Sequence, residues 1–168
     1  MQTNFYAQNH ALYNVYNGTF PVPAATTSVH LYGVEWTPEY LAFFIDGKQV
    51  RKTYAKDARD GKDYPQTPMQ VRLGTWVAGS STKKQGTIDW GGGMADFSTP
   101  KRAYFRSMKI TDYCGGYTGG KEYVYGDNSG KWQSIQVVGG VKGPGFGKSS
   151  PVRIQTEPPT TRRVAVGY

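Results

Sequence analysis

Residues 30–54, HLYGVEWTPEYLAFFIDGKQVRKTY, constrain the fold more than any other stretch of the chain. His30, Tyr32, Val34 and Trp36 fall on one side of an extended strand, and Leu31, Gly33 and Glu35 fall on the other. Thr37-Pro38-Glu39 interrupts the run, with Pro38 fixing φ at the second position of a turn. YLAFFI then returns, and Asp46-Gly47 supplies the positive φ that a tight two-residue hairpin turn demands. KQVRKTY follows. The pattern predicts a three-stranded antiparallel meander.

The same period of two recurs elsewhere, and no segment has a helical period. QTNFYA, near the start, reads as a strand. The chain to residue 28 reads as loop and holds the only N-x-S/T triplet, Asn17-Gly18-Thr19. In MQVRLGTWV, residues 69–77, the alternation predicts Met69, Val71, Leu73 and Thr75 on a core face. Gln70, Arg72, Gly74 and Trp76 then share the other face, which is polar, basic and open at Gly74, as a shallow binding face would be. A Trp packed under a loop is the alternative. Residues 78–100 read as a Gly-rich loop carrying Trp90, and AYFRSMKITD, KEYVY and WQSIQVV read as further strands. The expected domain is all-β and antiparallel, a sandwich or barrel spanning 1–138. Residues 139–168, rich in Gly, Pro, Ser and Thr with scattered basic residues, are expected to be a disordered tail.

Charge and aromatic content narrow the partners. The chain has 20 Lys and Arg against 12 Asp and Glu, a net charge of +8, with 13 Tyr and 4 Trp. Such a chain suits nucleic acid, through counterion release and base stacking, or sugars, whose C–H faces lie on aromatic rings. The basic residues are spread through loops and tail rather than along one stripe, which weighs against nucleic acid. The lone Cys114 cannot form an internal disulfide and reads as a small buried hydrophobe. No apolar run approaches the roughly 18 residues of a membrane span, and MQTNFYAQNH lacks the basic start and apolar core of a secretory leader.

Catalytic groups are sought without success. His10 and His30 are the only histidines, without metal-ligand spacing, so no metal is expected. No G-x-S-x-G elbow or phosphate-binding loop occurs, and no cofactor is expected. Glycosidase chemistry needs two carboxylates about 5 to 10 Å apart. Acids at i, i+2 and i+4 of a strand would supply them, but none of the twelve is so spaced. Asp57, Asp60 and Asp63 read as a solvated charged loop.

The hairpin HLYGVEWTPEYLAFFIDGKQVR resembles the H-x-Y-x-x-x-W-T/S…D-G hairpin of glycoside hydrolase family 16, enzymes acting on β-glucans and related polymers. YPQTPM, G-x-W and GTIDWGGG, in that order, are similar to segments of the fungal Crh-type cell-wall transglycosylases, as are YFRSMKITDY and GDNSGKWQSI. The resemblance covers residues 2 to about 137. It implies a concanavalin A-like antiparallel jelly-roll sandwich, with polysaccharide lying across the concave sheet. In that family an E-x-D-x-E strand supplies nucleophile, helper and acid/base for double displacement, and a second sugar chain can accept the glycosyl group.

That strand lies upstream of the segment matching QTN. The resemblance therefore implies a jelly roll incomplete at its N-terminus, with no catalytic carboxylates and no activity in the chain as written. It also implies substrate contacts from Trp76, from Trp90 with Thr87, from Arg72 on the Trp76 face, and from Gln2 and Asn4 beside the catalytic strand. Chitin or β-glucan is the implied partner, and the cell wall or extracellular space the implied location of the parent. A non-catalytic carbohydrate-binding module and a basic nucleic-acid-binding β-domain are the alternatives.

Overall fold

A computed structural model describes residues 1–7, 15–67, 69–112 and 116–143. His10, Cys114 and residues 144–168 of the expected tail lie outside the described residues. Two units are present: 1–67 with 111–143, and 69–110.

In the first unit the predicted meander forms. Strands β3 (Tyr32–Trp36), β4 (Tyr40–Ile45) and β5 (Lys48–Tyr54) pair antiparallel in that order. Asp46 and Gly47 take φ of 50° and 79° at the β4–β5 turn, the positive values an Asp-Gly turn supplies. Thr37 closes the other turn, its N–H bonding the Tyr40 carbonyl at 2.9 Å and its hydroxyl accepting from Tyr40 N–H at 3.1 Å. A register shift at Phe43/Phe44 bends the β4–β5 ladder.

β4 is the central strand, and Tyr40, Leu41, Ala42, Phe43 and Ile45 are all buried. Leu41 and Phe43 join Phe5, Ala58 and Tyr64 in the core. Full burial of side chains of this size stabilises by about 1.5–3 kcal/mol each. Tyr64 satisfies its buried hydroxyl by donating to the Thr37 carbonyl at 2.7 Å, and Trp36 donates Nε1–H to the Pro65 carbonyl at 3.1 Å.

β1 (Gln2–Thr3) pairs antiparallel with β2 (Gly18–Thr19). A side chain at position 18 would meet the Phe20 ring at 3.1 Å, so glycine suits this crowded crossing. Arg51 ties the pair to β5: it donates to the Thr3 hydroxyl at 3.0 Å and the Tyr16 carbonyl at 2.7 Å, over the rings of Phe5 and Phe43. The remaining ladders join β6 (Tyr117–Thr118) to β9 (Val141–Lys142) and β7 (Glu122–Tyr125) to β8 (Ile135–Val138). KEYVY thus pairs through β7 with the IQVV part of WQSIQVV, whose Trp132–Ser134 forms a 3-10 turn in place of the expected strand.

Three expectations need correction. Residues 69–77 and 103–112 form no ladder with any described segment, and Met69, Val71 and Leu73 are 58–60% exposed rather than lining a core. Alternation places side chains, but only a hydrogen-bonded neighbour makes a strand. The loop expected at 78–100 contains a helix, α1 (Gln85–Trp90). Asp63 is not solvated: it is 2% exposed, accepts from the Tyr16 hydroxyl at 3.0 Å and pairs with Arg59 at 3.3 Å. Burial foremost, and then the Asp63 carboxylate, push the Tyr16 phenol above its ordinary range. With all ladders antiparallel and α1 the one α-helix among the described residues, the structure is in line with the all-β jelly-roll class.

Candidate functional site

The second unit holds a cavity of about 570 Å³, walled by Trp76, Gly91 to Gly93, Met94, Phe97, Thr99 and Lys101 among others. Its shape follows from glycines. α1 buries Ile88 and ends at Gly91, whose N–H bonds the Thr87 carbonyl at 3.0 Å. Gly92 and Gly93 then take φ of 90° and 105°, which turns the chain back so that Gly93 N–H reaches the Ile88 carbonyl at 2.9 Å. Ala95 N–H bonds the Gly79 carbonyl at 2.9 Å and closes the loop. Gly79 is required there, because a Cβ would stand 2.2 Å from the Gly93 oxygen.

This turn brings together the two tryptophans singled out in the sequence. Trp76 and Trp90 stack with ring centroids 5.9 Å apart and planes 13° from parallel, the Lys83 ammonium standing 5.8 Å from the Trp76 ring. The indoles are about 60% exposed, so the pair is an apolar slab presented to solvent. Trp76 lines the cavity, while Trp90 reaches it by stacking on Trp76. Asp96 and Lys101 face each other at 3.9 Å, and the Ser98 backbone N–H and hydroxyl, each 2.8 Å away, hold the Asp96 carboxyl below its ordinary range.

The other expected contacts lie elsewhere. Thr87 is half-buried on α1, where its carbonyl receives Gly91. Arg72 is exposed, does not line the cavity, and donates to Gln70 at 2.9 Å. Gln2 and Asn4 belong to the first unit, Gln2 opposite Thr19 in the β1–β2 ladder and Asn4 donating to the Tyr6 hydroxyl at 2.9 Å. Lys83, Met94, Asp96, Phe97, Thr99 and Lys101 were not singled out from sequence; the Gly91-Gly92-Gly93 run that folds their segment back was the available signal.

His30 is held by Asp46, and among the described residues no group of three His, Cys, Asp or Glu could hold a metal ion. Nor is any described helix long and apolar enough to cross a membrane.

Comparison with known proteins gives a consistent answer. The family model for glycosyl hydrolases family 16 matches residues 1–92. A Crh-like protein of Arthroderma benhamiae is 47% identical over 121 residues, which cover 71% of this chain and 25% of that protein. Crh-like protein 3 of Aspergillus fumigatus is 43% identical over 143 residues, 83% of this chain and 38% of that protein. Among solved structures, a Crh5 transglycosylase in complex with NAG superposes with a TM-score of 0.66 at 31% identity, covering 81% of this chain and 55% of that one. The chain thus spans a quarter to about two fifths of the length of such relatives.

Proposed function

The chain belongs to glycosyl hydrolases family 16, among its Crh-type members, and from that premise we propose that it is a polysaccharide-binding part of a protein that remodels chitin and β-glucan in the fungal cell wall. The observation that carries this reading is the exposed Trp76–Trp90 stack at the rim of a glycine-walled cavity. Aromatic faces hold sugars through their axial C–H surface, and polar groups on the cavity wall, Thr99, Asp96 and Lys101, can bond hydroxyls around the ring. Thr87, Arg72, Gln2 and Asn4 are further contacts on this reading. The whole protein would act at the wall or outside the cell.

The chemistry of the reaction is not assigned to this chain. Retaining transfer needs two carboxylates about 5–5.5 Å apart, and the E-x-D-x-E pattern that would align them does not occur in this sequence. The chain alone binds polysaccharide without cleaving it.

Retention of the full chain on insoluble chitin and β-glucan, beside Trp76→Ala, tests the reading. Retention that Trp76→Ala reduces at least tenfold supports it, and no retention of the unmutated chain ends it. Retention should also persist at high salt, whereas nucleic-acid binding by Lys101, Arg102, Arg106 and Lys109 beside exposed Tyr104 and Phe105 would fall steeply with salt.

A further inference from the structure

Resting on the reading above only in that it places the whole protein at the wall or outside the cell, we propose that Asn17 is a modification site, the acceptor of one N-linked oligosaccharide. Asn17-Gly18-Thr19 is the one N-x-S/T triplet in the chain, and its central residue is glycine rather than the proline that would block transfer. Such triplets arise often by chance, so the weight falls on where the fold puts this one.

From Val15 to Phe20 exposure alternates. Val15, Asn17 and Thr19 are exposed, whereas Tyr16, Gly18 and Phe20 are half-buried. The inward set is committed to the interior: Tyr16 stacks on Phe5 with centroids 4.7 Å apart and donates its hydroxyl to buried Asp63 at 3.0 Å. Gly18 faces the Phe20 ring and the Thr3 hydroxyl so closely that a side chain there would meet both. In extended backbone, residues two apart share a side. The amide that would accept the sugar and the hydroxyl that marks it for transfer therefore lie together on the outer side. The backbone is held at both ends of the row, the Tyr16 carbonyl by Arg51 at 2.7 Å and the Phe20 N–H by the Met1 carbonyl at 2.8 Å. An oligosaccharide on Asn17 extends from this row into water and displaces no core side chain, as a bulky surface modification must.

Asn128 supplies an internal contrast. It is exposed as well, but Gly130 stands where the triplet needs a hydroxyl, so exposure alone makes no acceptor there.

The donor is a lipid-pyrophosphate-linked oligosaccharide. Asn17 Nδ2 forms a bond to the anomeric carbon of the first sugar, and that carbon's bond to the phosphate oxygen breaks. The bonding pair leaves with the lipid pyrophosphate, and the amide proton goes to a base of the transferase.

The test expresses the full chain behind a secretory leader in yeast, beside Asn17→Gln, Thr19→Ala and Thr19→Ser, and reads whole-cell extract as well as medium. An endoglycosidase should lower the mass of the unmutated chain by one discrete step. The step should be absent in Asn17→Gln and Thr19→Ala and return, at lower occupancy, in Thr19→Ser, which restores the hydroxyl. Enzymatic release of the glycan in heavy-oxygen water should leave the label at position 17 and at none of Asn4, Asn9, Asn14 and Asn128. An unmutated chain without the step overturns the proposal, as does a step that persists in Asn17→Gln. The polysaccharide reading survives both results, because retention on chitin and β-glucan tests it separately. Recovery of the native protein from the cytosol alone defeats the assigned location and this proposal with it.

Discussion

His30 Nδ1 and Asp46 Oδ2 lie 2.8 Å apart, joining the start of the meander to its β4–β5 turn, while Asp46 Oδ1 accepts the Leu31 N–H at 2.9 Å. The hydrogen bond to Asp46 raises the His30 pKa above its ordinary 6.5 against desolvation, with the Asp46 charge and the Pro23 and Ala24 backbone adding to the rise. His30, with the Leu31 backbone, lowers that of Asp46 below 3.8. A raised His pKa contributes stability that is present in full below pH 6.5 and lost as pH climbs through the folded value. The lowered Asp pKa contributes stability present above pH 3.8 and lost as pH falls through its folded value. The two windows overlap between about pH 4 and 6.5. His30→Gln should therefore lower the thermal midpoint more at pH 5.5 than at pH 8.5, and equal losses at both pH values would contradict the assignment.

Arg51 reaches Thr3 and Tyr16 while lying over two core rings, so its replacement removes hydrogen bonds and packing together. Arg51→Ala should cost about 1–3 kcal/mol, read as a lower urea midpoint at unchanged slope. Arg51→Lys should recover only part of this, because an ammonium lacks the planar fork that serves both acceptors.

Tyr64 buries its ring in the core and donates to the Thr37 carbonyl. Tyr64→Phe keeps the ring and leaves that carbonyl short of a partner, at a cost of about 1–2 kcal/mol. Tyr64→Ala also opens a cavity and should cost about 3–5 kcal/mol. A urea series of both variants checks the order.

Gly79→Ala places a methyl group against the Gly93 oxygen and the Ala95 nitrogen. It should displace the turn behind the cavity and cut retention on polysaccharide at least as strongly as Trp76→Ala does, with the first unit's unfolding unchanged. Parallel binding and denaturation measurements separate the two effects.

Among the described residues β3 is an outer strand of its sheet, and it exposes Tyr32 and Val34 by 50% and 64%. A lysine on such an edge discourages pairing with another chain. Val34→Lys should raise the concentration at which light scattering detects association and leave the thermal midpoint within about 1 °C, as a surface change of small free energy would.

Local chemistry made the meander legible: Asp-Gly for one turn, Thr-Pro for the other, and period two between them. Residues 69–77 carry the same period, yet a ladder needs a second segment at hydrogen-bonding distance, and nothing within nine residues specifies one. α1 left no trace because it is shorter than two turns, with Gly86, Thr87 and Ile88 all poor helix formers. Asp63 looked solvated among charged neighbours; the hydroxyl that satisfies it belongs to Tyr16, far away in sequence. Trp76 and Trp90 were each visible as candidate sugar contacts, but their stacking depends on the backbone turn through Gly79 and Gly93.

The bond from Ala95 N–H to the Gly79 carbonyl gives residues 79–95 the character of a cassette. Its two ends meet at a single clasp, and α1 with the Gly91 and Gly93 backbone bonds that follow Trp90 lies within it. Exchange of its outer residues, 80–84, alters what surrounds Trp76 without resetting the clasp. Variation in ligand preference can thus accumulate there while the frame that carries it stays put.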